Sequence, residues 1–171
     1  MAEDKHSPRI LRDLLVPLSR LPPLAPLHEV LMRQGILLRR ARPYELSAVR
    51  RFILRHFPER WADEAVVALS HQPVGCFLAT RDAKIVGFAC YDATARGFFG
   101  PTGVDPDQRK QGVGTALLMA SLHGLRDKGF AYAIIGAAGP VPFYVKTVGA
   151  WEIPESSSDT YADRLGDDSK F

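Results

Sequence analysis

Cysteine is scarce in this chain of 171 residues: Cys76 and Cys90 are the only two. Both lie in strand-like apolar runs, so the chain is no disulfide-stapled scaffold and reads as one with buried thiols in a reducing compartment. Neither has a Cys or His partner at metal-ligand spacing, which leaves no metal motif. Long apolar runs are missing as well. The Leu-rich stretch near the start is cut by Pro17, Pro22, Pro23 and Pro26. It supplies neither a signal peptide nor the roughly 20 apolar residues of a membrane span, so no membrane partner and a cytoplasmic location are expected. Charge of one sign is not in excess either. The 22 Lys and Arg against 19 Asp and Glu leave +3, with no basic tract to call for nucleic acid. A balance this mild suits an anionic small ligand as well as it suits an ordinary solvated surface.

What is present is the composition of one soluble domain, 46% hydrophobic and 24% charged. Residues 1–34 differ from 35–171. Ile10, Leu11, Leu14, Leu15 and Leu18 recur at helical spacing, as do Leu27, Val30 and Leu31, and the prolines forbid one long helix. One or two short helices laid on the main domain or on a partner subunit are expected, with a homodimer through residues 10–31 as one consequence.

From Ile36 the order is regular: strand, two helices, three strands, helix, strand, helix, two strands. "GILLRRA" and the hairpin "VGCFLAT"/"KIVGFACYDA", turning at Asp82 and Ala83, alternate as strands do. That hairpin would bring the two thiols near each other. Leu46, Val49, Phe52 and Ile53 make a helical stripe, as do Val113, Leu117, Leu118, Leu122 and Leu125, with Gly129 as a stop. "AYAIIGA" is apolar throughout, as a strand buried on both faces would be. "WEI" and "TYADRL" are the expected last strands. The pattern is a mixed α/β layer arrangement around one sheet.

Between "GFFGPTGV" and the helix from Val113 stands "RKQGVG", residues 109–114. A helix N-terminus offers free N–H groups and a positive dipole end, Gly112 and Gly114 remove side chains where backbone must approach a ligand, and Arg109 and Lys110 add charge. A phosphate or pyrophosphate is the natural guest. The loop is no Walker A motif, because Thr115 and Ala116 stand where Lys and Ser/Thr are needed, and Leu117 stands where a dinucleotide fingerprint needs Gly or Ala.

Arg109 to Gly114 does fit Arg/Gln-x-x-Gly-x-Gly/Ala. With "VDPDQRKQGVG" before it and "PFYVKTVGAWEI" after it, the chain resembles the GNAT superfamily of acyl-CoA-dependent N-acyltransferases over about four-fifths of its length. The resemblance implies an α/β fold for an acyltransferase domain over residues 35–171, with a mixed central sheet of six to seven strands and about four flanking helices; it leaves the expected N-terminal helical extension, residues 1–34, unexplained. It also implies that the family's fourth and fifth strands, here "GFFGPTGV" and "AYAIIGA", splay apart, so that Pro101 costs no ladder bond.

The implied activity is acetyl transfer from acetyl-CoA, as co-substrate and without a metal, to a primary amine, with a small molecule as the expected acceptor. Thr102, Gly103 and Val104 would pair with pantetheine, and Arg109, Lys110, Gln111, Gly112, Val113, Gly114 and Thr115 would wrap the pyrophosphate. A backbone N–H near Phe99 or Gly100 would face the oxyanion. Tyr144 would be the general acid, and Lys146 on the same helix is a solvated lysine or a phosphate contact. "GFFGPTGV" has no acidic residue, so Asp92 is the side-chain base candidate, or else the cap of the turn before Gly97. His56 and His71 lie near the acceptor side as packing or functional histidines. Phe57, Glu59 and Trp61 form either an amine pocket or a small helix-connection core. The missing strand carboxylate leaves a second function open, a non-catalytic CoA-binding sensor or assembly protein.

Overall fold

A computed structural model describes residues 12–154; the expected strand "TYADRL" and the loop 155–159 lie outside them. Alternation of apolar residues builds the strands. Strand β3 (Cys76–Arg81) turns into β4 (Lys84–Tyr91) through Asp82 and Ala83, both left-handed at φ 50° and 59°, the twist that suits a two-residue hairpin. Along β4, Phe88 and Cys90 point to one face while Ala89 and Tyr91 point to the other, each into its own core.

Among the described residues the sheet has seven strands in the order β2-β3-β4-β5-β6-β1-β7, with β2 at Leu37–Arg40, β5 at Phe98–Val104, β6 at Tyr132–Ala138, β1 at Arg12–Pro17 and β7 at Trp151–Glu152. Every pairing is antiparallel except β5 with β6. Helices α2 (Leu46–His56) and α3 (Glu59–Ser70) cover one face through Val49, Phe52, Ile53, Ala65 and Leu69. The other core holds α4 (Val113–Asp127) through Leu117, Leu118, Leu122 and Leu125, with Leu31 of α1 (Ala25–Arg33) and Val148 of α5 (Val141–Val148). Gly129 and Gly149 are left-handed where α4 and α5 end, as helix-stopping glycines are. Among the described residues no helix is long and apolar enough to cross a membrane.

One expectation is corrected. Residues 12–17 are not helical. They form β1, wedged between β6 and β7, with Leu14 opposite Ile135 and Val16 opposite Ala133. A short Leu/Val run satisfies both a 3.6-residue and a 2-residue period; the open edge of β6 decides between them, since pairing there buries Leu14 and Val16 completely. Leu18 and Leu31 are buried in the same core. Leu14, Leu18 and Leu31 are therefore covered by the chain itself, while Val30 is exposed. The second expected helix, around Leu27 to Leu31, is present as α1.

Gly124 shows how tightly α4 lies on the sheet. A Cβ there would stand 2.9 Å from Cε1 and Cζ of Tyr91. Tyr91 cannot yield, being fully buried with its hydroxyl accepting a 2.5 Å hydrogen bond from Arg40 Nη1. Helix propensity alone would make Gly→Ala favourable by about 1 kcal/mol, whereas overpacking costs about 1–3 kcal/mol. We therefore expect Gly124→Ala to lose about 1–2 kcal/mol in urea unfolding, and a stabilised variant would show that α4 can lift from Tyr91.

Candidate functional site

The sheet opens where β5 meets β6. Their parallel pairing comprises Phe98 with Ile134 and Phe99 with Ile135 and then stops, although β5 continues to Val104, held by β4 alone. At the branch stand Gly100, at φ 120°, and Pro101, both skipped in the β4 register between Phe99 and Thr102. A bulge is where a glycine of unusual φ and a residue without an N–H cost no ladder bonds. Among the described residues, one backbone edge of β5 faces no strand from Gly100 onward, and residues 102–104 lie along it.

The loop after β5 leads to the start of α4. Asp105 accepts a hydrogen bond from Asp107 N at 3.0 Å, a short turn follows over Pro106–Gln108, and Arg109 and Lys110 are exposed. Lys110 and Gly112 are left-handed, at φ 65° and 82°, a backbone that turns successive N–H groups toward one side as anion-binding nests do. No side chain caps α4 and its first turn holds no acidic residue. Among the described residues, the helix-start donors of Val113, Gly114 and Thr115 therefore meet no acidic side chain of their own turn. A Cβ on Gly114 would touch only Val104 Cγ2, at 3.7 Å, which sets the loop beside the open edge of β5.

Tyr144 joins the same place from α5. It is buried, its ring centre 6.4 Å from that of Phe99 and 5.2 Å from that of Phe143. Burial pushes its phenol up to about 12, because the phenolate would lose its hydration. Lys146, two residues on, is exposed.

On the opposite face the α2–α3 link lies against β5. The Phe57 ring fills the space over Gly103, where a Cβ would come within 2.4 Å of its Cζ, and it stacks on Trp61 at 5.3 Å and packs with Phe88 at 5.8 Å. Phe57 and Trp61 are part of the α2–α3 core and remain half-exposed, while Glu59 is exposed. His56 packs on Phe52 and Phe57. His71 keeps Nδ1 buried without a hydrogen-bond partner among the described residues.

Asp92 follows β4 directly, its N–H donating to the Phe98 carbonyl at 2.9 Å. One of its carboxylate oxygens accepts from Gly97 N at 2.6 Å and the other pairs with Lys128 Nζ, so it holds the turn before Gly97. Cys76 and Cys90 are direct cross-strand partners, both free and fully buried; burial pushes the Cys90 thiol well up, with Cys76 adding to it, which makes it unreactive. Two residues escaped the sequence reading. Glu64 lies one turn beyond Trp61 on α3, accepts from the Thr94 hydroxyl and has its carboxyl raised by burial; its place three residues after Trp61 was the available signal. Arg81 lies behind the glycine loop, and no local motif marks it.

The acetyltransferase (GNAT) family model matches residues 44–149, which take in α2, α3, the branch, the loop and α5. The chain belongs to the GNAT family. A mycothiol acetyltransferase of Thermobispora bispora is 43% identical over 33% of this chain and 22% of that protein, so the match spans about a fifth of the curated relative. Among solved structures, a GNAT-type glucosamine N-acetyltransferase region of a fungal multi-domain GH3 β-N-acetylglucosaminidase superposes with a TM-score of 0.69 at 13% identity, covering 85% of this chain and 20% of that one. A GCN5-related N-acetyltransferase of Sphaerobacter thermophilus gives 0.63 at 22% identity, covering 85% and 50%. These two likenesses establish the GNAT fold, including the expected mixed sheet.

The raised carboxyl of Glu64 has a consequence for stability. A folded-state pKa above the unfolded one means the native state keeps the proton longer, so stability falls as pH rises from the ordinary glutamate value of about 4.3 through the raised value. Glu64→Gln removes that loss. Urea unfolding from pH 4 to 7 should show the variant gaining on the wild type as pH rises, and a pH-independent difference would contradict the assignment.

Proposed function

We propose that this GNAT protein is an N-acetyltransferase that moves an acetyl group from acetyl-CoA to the primary amine of a small molecule. The observation that carries the reading is the juxtaposition of the unpaired β5 edge with the uncapped, acid-free start of α4. Residues 102–104 offer free main-chain groups to an amide-bearing arm, and the N–H groups around Gly112 to Thr115 offer charge to a pyrophosphate. The residues thus fit a CoA thioester, which when bound supplies an activated acetyl group.

The chain's own part is to orient and to manage protons. The amine nitrogen attacks the thioester carbonyl carbon, a backbone N–H near Phe99 or Gly100 faces the oxygen where charge builds, and the C–S bond breaks with its electron pair on sulfur. Tyr144 keeps its proton at working pH and offers it to the sulfur. Because a thiol has a pKa of about 8.5, full transfer from this phenol is uphill, and Tyr144 serves chiefly as a hydrogen-bond donor to the thiolate. With Asp92 engaged by Lys128 and Gly97, the ammonium proton passes to water. Phe57 and Trp61 line the acceptor side and favour an amine with an apolar body. The relative named for mycothiol acetylation supports acetyl as the group moved.

The engaged Asp92 also favours a second reading, a CoA-binding protein without turnover. Calorimetric titration with acetyl-CoA, with NAD and ATP as controls, tests the cradle: micromolar binding of acetyl-CoA alone is expected, and binding of neither it nor CoA would overturn both readings. Gly114→Val should weaken acetyl-CoA binding at least about tenfold with little change in Tm, since the added side chain meets no backbone nearby. Tyr144→Phe should lower kcat about a hundredfold with KM for acetyl-CoA nearly unchanged. Binding without any turnover across a panel of amines would favour the second reading.

A further inference from the structure

Arg81 ends β3 and points its guanidinium under the loop that opens α4. Nη1 donates to Gln108 Oε1 at 2.5 Å, and Nη2 donates to Gln111 Oε1 at 2.8 Å and to the Gln34 carbonyl, at the end of α1, at 3.4 Å. Gln111 Nε2 donates in turn to Gln108 Oε1 at 3.4 Å. Gln108 and Gln111 bracket Arg109 and Lys110. One planar fork therefore holds both ends of a four-residue arc, and the two basic residues between them bow outward into solvent. Lys110 is left-handed within that arc, a conformation a lysine keeps only where its surroundings impose it. Among the described residues no carboxylate pairs with Arg81, so its charge also adds to the field at the loop.

We propose that Arg81 is a positioning residue for the anion site: acting through Gln108 and Gln111, it sets the backbone of residues 108–112 in the shape that receives the pyrophosphate of the CoA thioester. This rests on the acetyl-CoA reading above. The role calls for arginine, since a lysine ammonium cannot present two coplanar donors to two amide oxygens. A loop shaped in advance loses less freedom on binding, so the effect falls on affinity and spares the chemical step.

Two measurements on the full chain test this, one without any cofactor. Arg109 and Lys110 are trypsin sites, and Arg81→Met should speed cleavage after them several-fold, while Arg12→Met, at an exposed ion pair, should not. In steady-state assays Arg81→Met should raise KM for acetyl-CoA about tenfold and leave kcat unchanged, with Arg81→Lys giving only partial rescue. It should not change kcat/KM for acetyl-pantetheine, which has no pyrophosphate; equal losses on both substrates would indicate a merely structural role and overturn the proposal. The double variant Gln108→Met/Gln111→Met should show the same loss, and adding Arg81→Met to it should cost little more. Additive losses would mean that Arg81 contacts the phosphates itself, overturning action through the glutamines. Unchanged cleavage together with unchanged KM would sink the idea outright. If wild type binds no CoA thioester while Arg81→Met still loosens the loop, the acetyl-CoA reading and the binding role fall together and only the tether remains.

Discussion

A parallel ladder two residues long is the constraint on which the rest of this structure depends. β5 and β6 share Phe98–Ile134 and Phe99–Ile135 and no more, while each is held along its outer side by a longer antiparallel partner. Exposed main-chain donors and acceptors beside a hydrophobic core are costly unless they meet water or a ligand. Beside that unpaired edge stand an apolar vertex at Phe99 and Tyr144 and the uncapped, acid-free start of α4.

The electrostatics of that helix start are built from backbone more than from side chains. α4 begins without a capping side chain and without an acid, an arrangement that leaves helix-start donors unused and stabilises nothing by itself. Arg109 and Lys110 stand in solvent, where screening weakens any single charge. The loop is hydrogen-bonded from beneath by a guanidinium two strands away in sequence. The same economy appears at Asp92, whose carboxylate spans Gly97 and Lys128 and so ties the β4–β5 turn to the end of α4.

Local chemistry made much of this legible. The hairpin at Asp82–Ala83, the stripe of α4 and its glycine stop at 129 all rest on neighbouring residues, and they stand in the structure where they are expected. β1 was misread because Leu11 to Leu18 carries two periods at once, and its partner β6 lies more than a hundred residues away. Glu64 and Arg81 were passed over for a related reason. A glutamate on a helix and an arginine at a strand end carry no local pattern; burial against Thr94 and two amide oxygens gave them their character.

Interactions within a few residues and motifs of fixed spacing are enough to set the order of elements from β2 to α5 and the glycine loop that opens α4. Packing of distant segments is what makes residues 12–17 complete the sheet, ties Asp92 to Gly97 and Lys128, lays Phe57 over Gly103 and joins Arg81 to Gln108 and Gln111. Those outcomes depend on which surfaces meet when distant segments pack, and the free energy that selects among them comes from burial and hydrogen bonding between segments, which no local window of sequence contains.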